Sequence, residues 1–367
     1  MKVMIYGSGH SGCAHATYLG HAGHEVHLFD LPQFEKNLTY IQKNGGMTMK
    51  GYFQGYGPIK LATTNVQEAI DGVDVILIIV PAFAHETAAR TLAPYLKDNH
   101  IVVLSPGGPY GVVAFKKTVT ECGNHANFKL AEALSSTFAC RRSSESEVWM
   151  KGIKEKMPVA TLPAKDIDDV IPVLQQILPN FIPMPNIVYT SMASNNAVVH
   201  PFAALLNTGR IENQPGQFDL YWDGITPSVG RCQEALDRER VAVAKAMGFE
   251  VMPMIEEMHM FYDHHGGYEG KNTLFDFFDH GYVNGGPGST GPTNMQHRYI
   301  TEDIPYGIVP MKQTADLFGV PCPHMDALIT IASTINSTDY LQTGRTLHSL
   351  GLDGLSREEF LQRIIEG

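Results

Sequence analysis

The stretch KVMIYGSGHSG, residues 2–12, joins a short apolar run to three glycines, Gly7, Gly9 and Gly12. An apolar run that ends at a glycine and continues into small, helix-compatible residues predicts a strand, a tight turn and a helix. The next apolar run, HEVHLFD, ends on Asp30. The spacing GxGxxG between a strand and a helix, with an acidic residue at the end of the second strand, predicts a dinucleotide-binding unit.

Each residue of this motif has a physical task. Gly7 permits the tight turn, Gly9 lets the backbone approach a pyrophosphate, and Gly12 lets the helix pack close to the strand. The helix N-terminus adds free N–H groups and a positive dipole end. Asp30 would accept hydrogen bonds from ribose hydroxyls and repel a 2′-phosphate, and no arginine follows it in FDLPQFEKN. We therefore expect NAD(H) rather than NADP(H) as the cofactor.

Three further residues are candidates for contact with the cofactor. Ser8 and His10 lie inside the glycine loop, and Pro81 ends the apolar run of residues 73–81. For His10, contact with the cofactor and simple tolerance of the turn are equally good interpretations.

Strand and helix patterns alternate through the first half of the chain. The apolar runs VDVILIIVP (73–81), HIVVLSPGG (100–108), KLAEALSS and MPVATLP predict strands, and HETAARTLAPYL predicts a helix. Continuous apolar runs are typical of parallel strands that are covered on both faces. Residues 1–184 are thus predicted to form an α/β domain with a doubly wound parallel sheet, the Rossmann arrangement.

The pattern changes at PMPNIVYT, beyond which the apolar spacing is mostly helical. Residues 185–367 are therefore predicted to form a second, helical domain. Within it, about 264–296 is rich in glycine, asparagine and aromatic residues, which predicts loops around a short helix. This segment is either a moving lid or a plain irregular loop.

Composition excludes several classes of function. The formal net charge of −11 argues against binding to nucleic acid or an anionic membrane. The five cysteines are scattered without a CxxC pair, which predicts reduced thiols and a cytoplasmic location. No metal site is expected, because the cluster Asp263, His264 and His265 lacks ligand spacing. Glu256 and Glu257 are expected on an exposed helix face.

Two stretches of the second half carry candidate chemistry. SNNAVVHPFAALLN places Asn196 and His200 on one face of a helix, and NMQHRYITEDIPYGIVP contains Arg298 and Asp303. Reduction beside a keto acid needs a cation for the carboxylate, an acid of neutral range and a carboxylate that orients that acid. These residue types fit the three tasks, although a histidine on an apolar helix face is more often a core histidine bonded to a backbone carbonyl.

In order and spacing, the motifs resemble the octopine/nopaline (opine) dehydrogenase family. The resemblance runs nearly end to end, through GSGHSG, DVILIIVPA, SPGG, NNAVVHPFAALLN, GITPSVG, ERVAVAKA, RYITEDIPYGIVP and GRTLHSLGL. It implies a Rossmann domain followed by an all-α C-terminal domain of the 6-phosphogluconate-dehydrogenase-like type, with the active site in the cleft between them. It also implies a homodimer.

The resemblance further implies a reaction and a set of site residues. NADH would reduce the imine formed from an L-amino acid and pyruvate or a similar 2-keto acid. His200 falls on the family's catalytic histidine, Asp303 on its acidic partner and Arg298 on the arginine that binds the keto acid, while Asn196 would contact substrate. Two alternatives stay open. One is a ketopantoate-type or hydroxyacid reductase. A lysine on this helix would favour it, and the stretch SNNAVVH contains none. The other is a non-catalytic NAD-binding sensor.

Overall fold

The computed structural model describes residues 1–281 and 290–367, and the chain divides into two compact units. The α/β unit comprises residues 1–107, 111–190 and 364–367, and the helical unit comprises residues 108–110 and 191–363. The division of the chain into independent domains at residues 1–184 and 185–367 stays a prediction.

A sheet of eight strands forms the centre of the α/β unit, in the order β12-β11-β8-β7-β6-β1-β2-β5. The run β5-β2-β1-β6-β7-β8 is parallel throughout and follows the order of a dinucleotide-binding fold. Beyond it, β11 pairs antiparallel with β8. The strands of this sheet are β1 Lys2–Tyr6, β2 Glu25–Phe29, β5 Leu61–Thr63, β6 Val75–Ile78, β7 Ile101–Leu104, β8 Lys129–Ala133, β11 Met157–Thr161 and β12 Phe181–Pro183.

Helices flank this sheet, and the central strands are buried along nearly their whole length. The parallel sheet predicted from the continuous apolar runs is thus confirmed, with the helices that this burial requires. The helices are α1 His10–His21, α2 Thr39–Asn44, α3 Val66–Ile70, α4 His85–Leu92, α5 Gly111–Glu121, α6 Ile167–Leu174 and α7 Val188–Ser191.

A second sheet of four strands lies in the α/β unit and was not predicted from the sequence. Its order is β4-β3-β10-β9, with β3 Gly46–Gly51, β4 Gly55–Pro58, β9 Phe138–Arg142 and β10 Glu147–Ile153. β3 pairs with β10, far along the chain. This sheet brings β9 alongside α1.

Among the described residues, the other α-helices belong to the helical unit. They are α8 Asn195–Leu205, α9 Thr208–Asn213, α10 Pro227–Ala246, α11 Met254–Tyr262, α12 Leu274–Phe278, α13 Arg298–Thr301, α14 Val309–Phe318, α15 Pro323–Asn336, α16 Tyr340–Thr343, α17 Leu347–Leu350 and α18 Arg357–Glu366, whose last residues belong to the α/β unit. The hydroxyl of Thr226 accepts a hydrogen bond from the Val229 N–H and so caps α10, which begins with Pro227. Part of the predicted lid, residues 282–289, lies outside the described residues.

The expected exposure of Glu257 is wrong. Its side chain is buried and its carboxylate lies 3.3 Å from the guanidinium of Arg240, which is itself fully buried. Burial raises the pKa of Glu257 to about 8, against the lowering effect of Arg240. The periodicity of α11 could not reveal this partner, because the arginine comes from α10.

Within the part of the chain that the structure describes, no helix is both long and apolar enough to cross a bilayer.

Candidate active site

The glycine loop after β1 has the geometry that its sequence predicts. Gly7 adopts a φ of +110°, and a Cβ there would lie 2.5 Å from the carbonyl oxygen of Ile79. A Cβ on Gly12 would lie 1.8 Å from the carbonyl oxygen of Gly7, so α1 can approach the turn only with glycine at this position. Both residues are therefore required by the fold of the loop itself.

Gly9 differs from the other two glycines. Its φ of −71° suits any residue, and a Cβ there would meet no atom within 4 Å. Neither backbone strain nor protein packing requires glycine here, whereas a side chain would fill the space before the first turn of α1. The first hydrogen bond of α1 runs from the N–H of Cys13 to the carbonyl of Gly9. The loop thus fits a dinucleotide whose pyrophosphate lies at the start of this helix.

Asp30 is buried and is tied to the loop. One of its carboxylate oxygens accepts hydrogen bonds from the Ser8 N–H at 2.7 Å and from the Ser8 hydroxyl at 2.5 Å. The other accepts one from the Leu31 N–H at 2.8 Å. The carboxylate that follows β2 therefore fixes the conformation of the glycine loop, in addition to any role toward a ribose.

Arg142, at the end of β9, is a neighbour of this loop that the sequence did not reveal. Its backbone N–H donates to Nδ1 of His10 at 2.9 Å, and its guanidinium lies 3.5 Å from the carbonyl oxygen of Ser8. Sequence spacing gives no signal for this contact, since residues 10 and 142 meet only through the second sheet. Pro81 follows β6 and precedes a short 3₁₀ turn.

His200 and Asp303 are directly bonded in the helical unit. Nδ1 of His200 lies 2.7 Å from a carboxylate oxygen of Asp303, and both side chains are buried. A carboxylate only accepts hydrogen bonds, so Nδ1 carries the proton and Nε2 is the basic atom of the neutral ring. The two residues that the sequence singled out, 103 positions apart, therefore form a histidine–carboxylate pair.

Close packing of two elements brings this pair together. His200 lies on α8, and Asp303 begins a π-helical turn, Asp303–Ile308. Gly307 of that turn faces α8, where a Cβ would lie only 2.7 Å from the Cβ of Ala197. On α10, Gln233 donates a hydrogen bond to the carbonyl of Val199 at 2.7 Å. The backbone on both sides of the pair is thus fixed by packing.

Two tyrosines that the sequence did not single out surround the imidazole. The Tyr299 ring lies 4.0 Å from the His200 ring, centroid to centroid. The hydroxyl of Tyr221 lies 2.9 Å from Nε2 of His200. The sequence offers one signal for Tyr221, its place in DLYWDG, where aspartates and a glycine predict a turn that presents aromatic side chains.

Arg298 and Asn196 complete the predicted set. The Arg298 side chain is 54% exposed, and its guanidinium lies 3.8 Å from the Glu302 carboxylate. Partial desolvation lowers the pKa of Arg298, but the carboxylates of Glu302 and Asp303 outweigh this effect and raise it, so the side chain is a permanent cation close to the pair. Asn196 is half-buried one turn before His200 on α8.

Two family profiles match the chain. Residues 183–336 match the α-helical domain of NAD/NADP octopine/nopaline dehydrogenases. Residues 2–113 match the N-terminus of NAD-dependent glycerol-3-phosphate dehydrogenases. The first match contains the histidine–carboxylate pair, and the second contains the glycine loop.

Curated relatives cover most of the chain. An opine dehydrogenase of Arthrobacter sp. is 33% identical over 96% of this chain and 95% of its own length. The octopine dehydrogenase of Mizuhopecten yessoensis is 26% identical over 78% of this chain and 75% of its own.

Solved structures share the fold. An octopine dehydrogenase in complex with NADH and L-arginine superposes with a TM-score of 0.78 at 22% identity, over 100% of this chain and 98% of that one. A yersinopine dehydrogenase with NADP⁺ bound gives 0.71 at 14% identity, again over 100% and 98%.

The predicted family, fold and enzyme class are confirmed by these matches. The chain belongs to the octopine/nopaline (opine) dehydrogenase family, and it is an NAD(H)-binding oxidoreductase of CH–NH bonds that joins an amino acid to a 2-keto acid by reductive condensation.

Proposed function

We propose that His200 and Asp303 are the acid–base pair of this reaction and that Arg298 holds the carboxylate of the keto acid. The observation that carries the proposal is the 2.7 Å hydrogen bond between the two buried side chains of the pair. By analogy with the octopine dehydrogenases, whose structures contain L-arginine or pyruvate, the substrates are an L-amino acid and pyruvate or a similar 2-keto acid.

The geometry assigns a different task to each atom of the pair. Nδ1–H of His200 is held by Asp303, so the lone pair of the ring lies on Nε2, beside the Tyr221 hydroxyl, and can take up protons that the amino group of the amino acid loses. The resulting imidazolium is stabilised by the Asp303 carboxylate at 2.7 Å. It returns each proton to the carbonyl oxygen of the keto acid. Two such transfers from the ammonium group of the amino acid turn this oxygen into the water that leaves, and a protonated imine remains. NADH supplies the hydride that reduces the imine.

Arg298 is suited to the carboxylate of the keto acid. A guanidinium offers two parallel N–H donors, which match the two oxygens of a carboxylate. The partner of Arg298, Glu302, is 3.8 Å away, a distance longer than a bidentate ion pair. The Arg298 side chain is also half-exposed, so a substrate can reach it. Asn196, on the same helix as His200, is proposed as a further polar contact to substrate.

The requirement for both substrates tests this function. NADH oxidation should need both the keto acid and the amino acid, because hydride transfer follows imine formation. We expect the rate with either substrate alone to stay at background in a spectrophotometric assay across a panel of L-amino acids. Turnover of the keto acid without an amine would instead identify a hydroxyacid reductase. Failure of every pair, with NADH bound, would indicate a non-catalytic sensor.

We also propose that NADH is preferred over NADPH. Asp30 supports the proposal, because its buried carboxylate lies beside the loop, where the adenosine ribose binds in dinucleotide-binding folds. A second negative charge next to it would cost several kcal/mol. The nearby Arg142 is held by the carbonyls of Ser144 and Glu145. A homodimer and a cytoplasmic location stay predictions.

The Asp30→Asn variant tests this preference. Asparagine keeps an oxygen that can accept from Ser8 but removes the charge. In the unmodified enzyme we expect kcat/KM with NADH to exceed that with NADPH by about 10²-fold, since each 1.4 kcal/mol is tenfold. The ratio should fall toward unity in Asp30→Asn. Asp71→Asn, at an exposed position of the same unit, should leave the ratio unchanged. Equal use of both nucleotides before any substitution would refute the preference.

A further inference from the structure

The Tyr221 hydroxyl is hydrogen-bonded to Nε2 of His200, the ring nitrogen proposed to exchange protons. The phenol oxygen lies 2.9 Å from this nitrogen, which Asp303 does not occupy. We propose that the Tyr221 hydroxyl relays the proton between His200 and the reacting substrate. This inference rests on the proposed acid–base role of His200, and it adds to that role the group through which the proton travels.

The hydrogen-bonding capacity of each group sets the direction of the bond. Asp303 requires the proton of His200 on Nδ1, so neutral Nε2 is an acceptor and the phenol donates to it. When the imidazole is protonated, Nε2 becomes a donor and the phenol oxygen accepts. A phenol can accept one proton and donate another at the same time, which neither the indole of Trp222 nor the ring of Phe278 can do. Tyr221 is therefore able to pass a proton in either direction.

Local hydrogen bonds hold Tyr221 in place. One carboxylate oxygen of Asp219 accepts from the backbone N–H groups of Tyr221 at 2.8 Å and Trp222 at 3.1 Å. The Asp219 N–H in turn donates to the Asp223 carboxylate at 2.8 Å. The Tyr221 ring packs against Phe278, with centroids 5.6 Å apart. A side chain fixed this way keeps its hydroxyl within hydrogen-bond distance of Nε2, as a relay requires.

Tyr221 is only half-buried, so its hydroxyl can exchange a proton with a substrate as well as with His200. The His200 side chain is only 6% exposed, and the Tyr299 ring covers its face. Tyr221 is more accessible than the histidine that it contacts. A substrate proton can therefore reach the phenol oxygen while the imidazole stays covered.

The proton balance of the relay is simple. When the carbinolamine loses its hydroxyl group, the C–O bond breaks and the oxygen takes the phenol proton to leave as water, while the nitrogen lone pair forms the C=N bond of the protonated imine. The imidazolium of His200 passes its Nε2 proton to the phenol oxygen in the same event. One proton has moved from His200 to water, and the phenol is unchanged. In the reverse reaction, water adds to the protonated imine and gives a proton to the phenol oxygen, and the phenol proton returns to Nε2.

The Tyr221→Phe variant tests the relay, because it removes the hydroxyl and keeps the ring that packs against Phe278. General acid–base catalysis is worth about 10²–10⁴-fold, and we expect turnover to fall by about 10²-fold, since water can replace the phenol in part. Single-turnover rates measured in mixtures of H₂O and D₂O give the specific readout. Two protons in flight predict a curved dependence on deuterium fraction in the unmodified enzyme, and a linear one in Tyr221→Phe.

Tyr340→Phe is the matched control. It also removes a phenol from the helical unit, one whose oxygen accepts from the Asn336 amide at 2.8 Å, and it should leave both the rate and the curvature unchanged. Full activity of Tyr221→Phe would overturn the relay. So would a slower variant with unchanged curvature, since that result means that Tyr221 only orients the imidazole. Failure of the proposed function is distinguished separately, because His200→Ala would then retain its activity.

Discussion

Replacing His200 by alanine should lower turnover by ~10²–10⁴-fold and leave the affinity for NADH unchanged. The substitution removes Nε2, the atom proposed to store and return the substrate proton, and leaves the Asp303 carboxylate without its partner at 2.7 Å. None of the loop contacts that hold Ser8 and Asp30 involves His200. Steady-state rates and NADH titration by fluorescence measure the two effects separately.

A second histidine–carboxylate pair supplies the control for this experiment. His348 lies 2.8 Å from the Asp353 carboxylate, and its side chain is 86% exposed. His348→Ala should keep full turnover. Loss of NADH binding in a folded His200→Ala enzyme, or a rate equal to that of His348→Ala, would show that the acid–base group lies elsewhere.

Replacing Arg240 by leucine should lower the free energy of unfolding by ~3–5 kcal/mol, the cost of leaving a buried charge without its partner. The guanidinium bonds to the Asp237 carboxylate at 2.8 Å and to the carbonyls of Met192 and Met252 at 2.8 and 2.6 Å. All of these acceptors would be left without it in the variant. Urea unfolding followed by circular dichroism measures the loss.

An exposed arginine of the same helix is the control. Arg231 donates to the Ser228 hydroxyl at 2.8 Å on the surface of α10, and Arg231→Leu should change stability by no more than about 0.5 kcal/mol. Equal unfolding curves for the two variants would mean that the buried cluster contributes no net stability.

The parts of the fold that local pattern determines were predictable. Continuous apolar runs such as residues 75–78 are typical of strands covered on both faces, and Gly7 and Gly12 occupy positions that only glycine fits. The second sheet was not predictable in this way. Its strand β4 is rich in glycine, the alternation in β3 is limited to Met47 and Met49, and β3 pairs with β10 about a hundred positions away. The same distance along the chain concealed the contact of Arg142 with the glycine loop.

In the candidate site, too, local sequence pattern was informative and long-range packing was not predictable. Residue types predicted the tasks of His200, Asp303 and Arg298, and the structure shows that the first two are bonded. Tyr221 could not be found from spacing, because its position depends on a turn built by Asp219. Glu257 was misplaced for a related reason, since only the packing of α11 against Arg240 makes a carboxylate acceptable in the interior.

Gly307 shows how a residue without any functional group can decide whether the chemistry occurs. The contact it permits, with a would-be Cβ only 2.7 Å from Ala197, sets the separation between the segment that carries Asp303 and the helix that carries His200. Even one methyl group would push the carboxylate away from the ring. A mutational scan would then record position 307 as essential, although it touches no reactant.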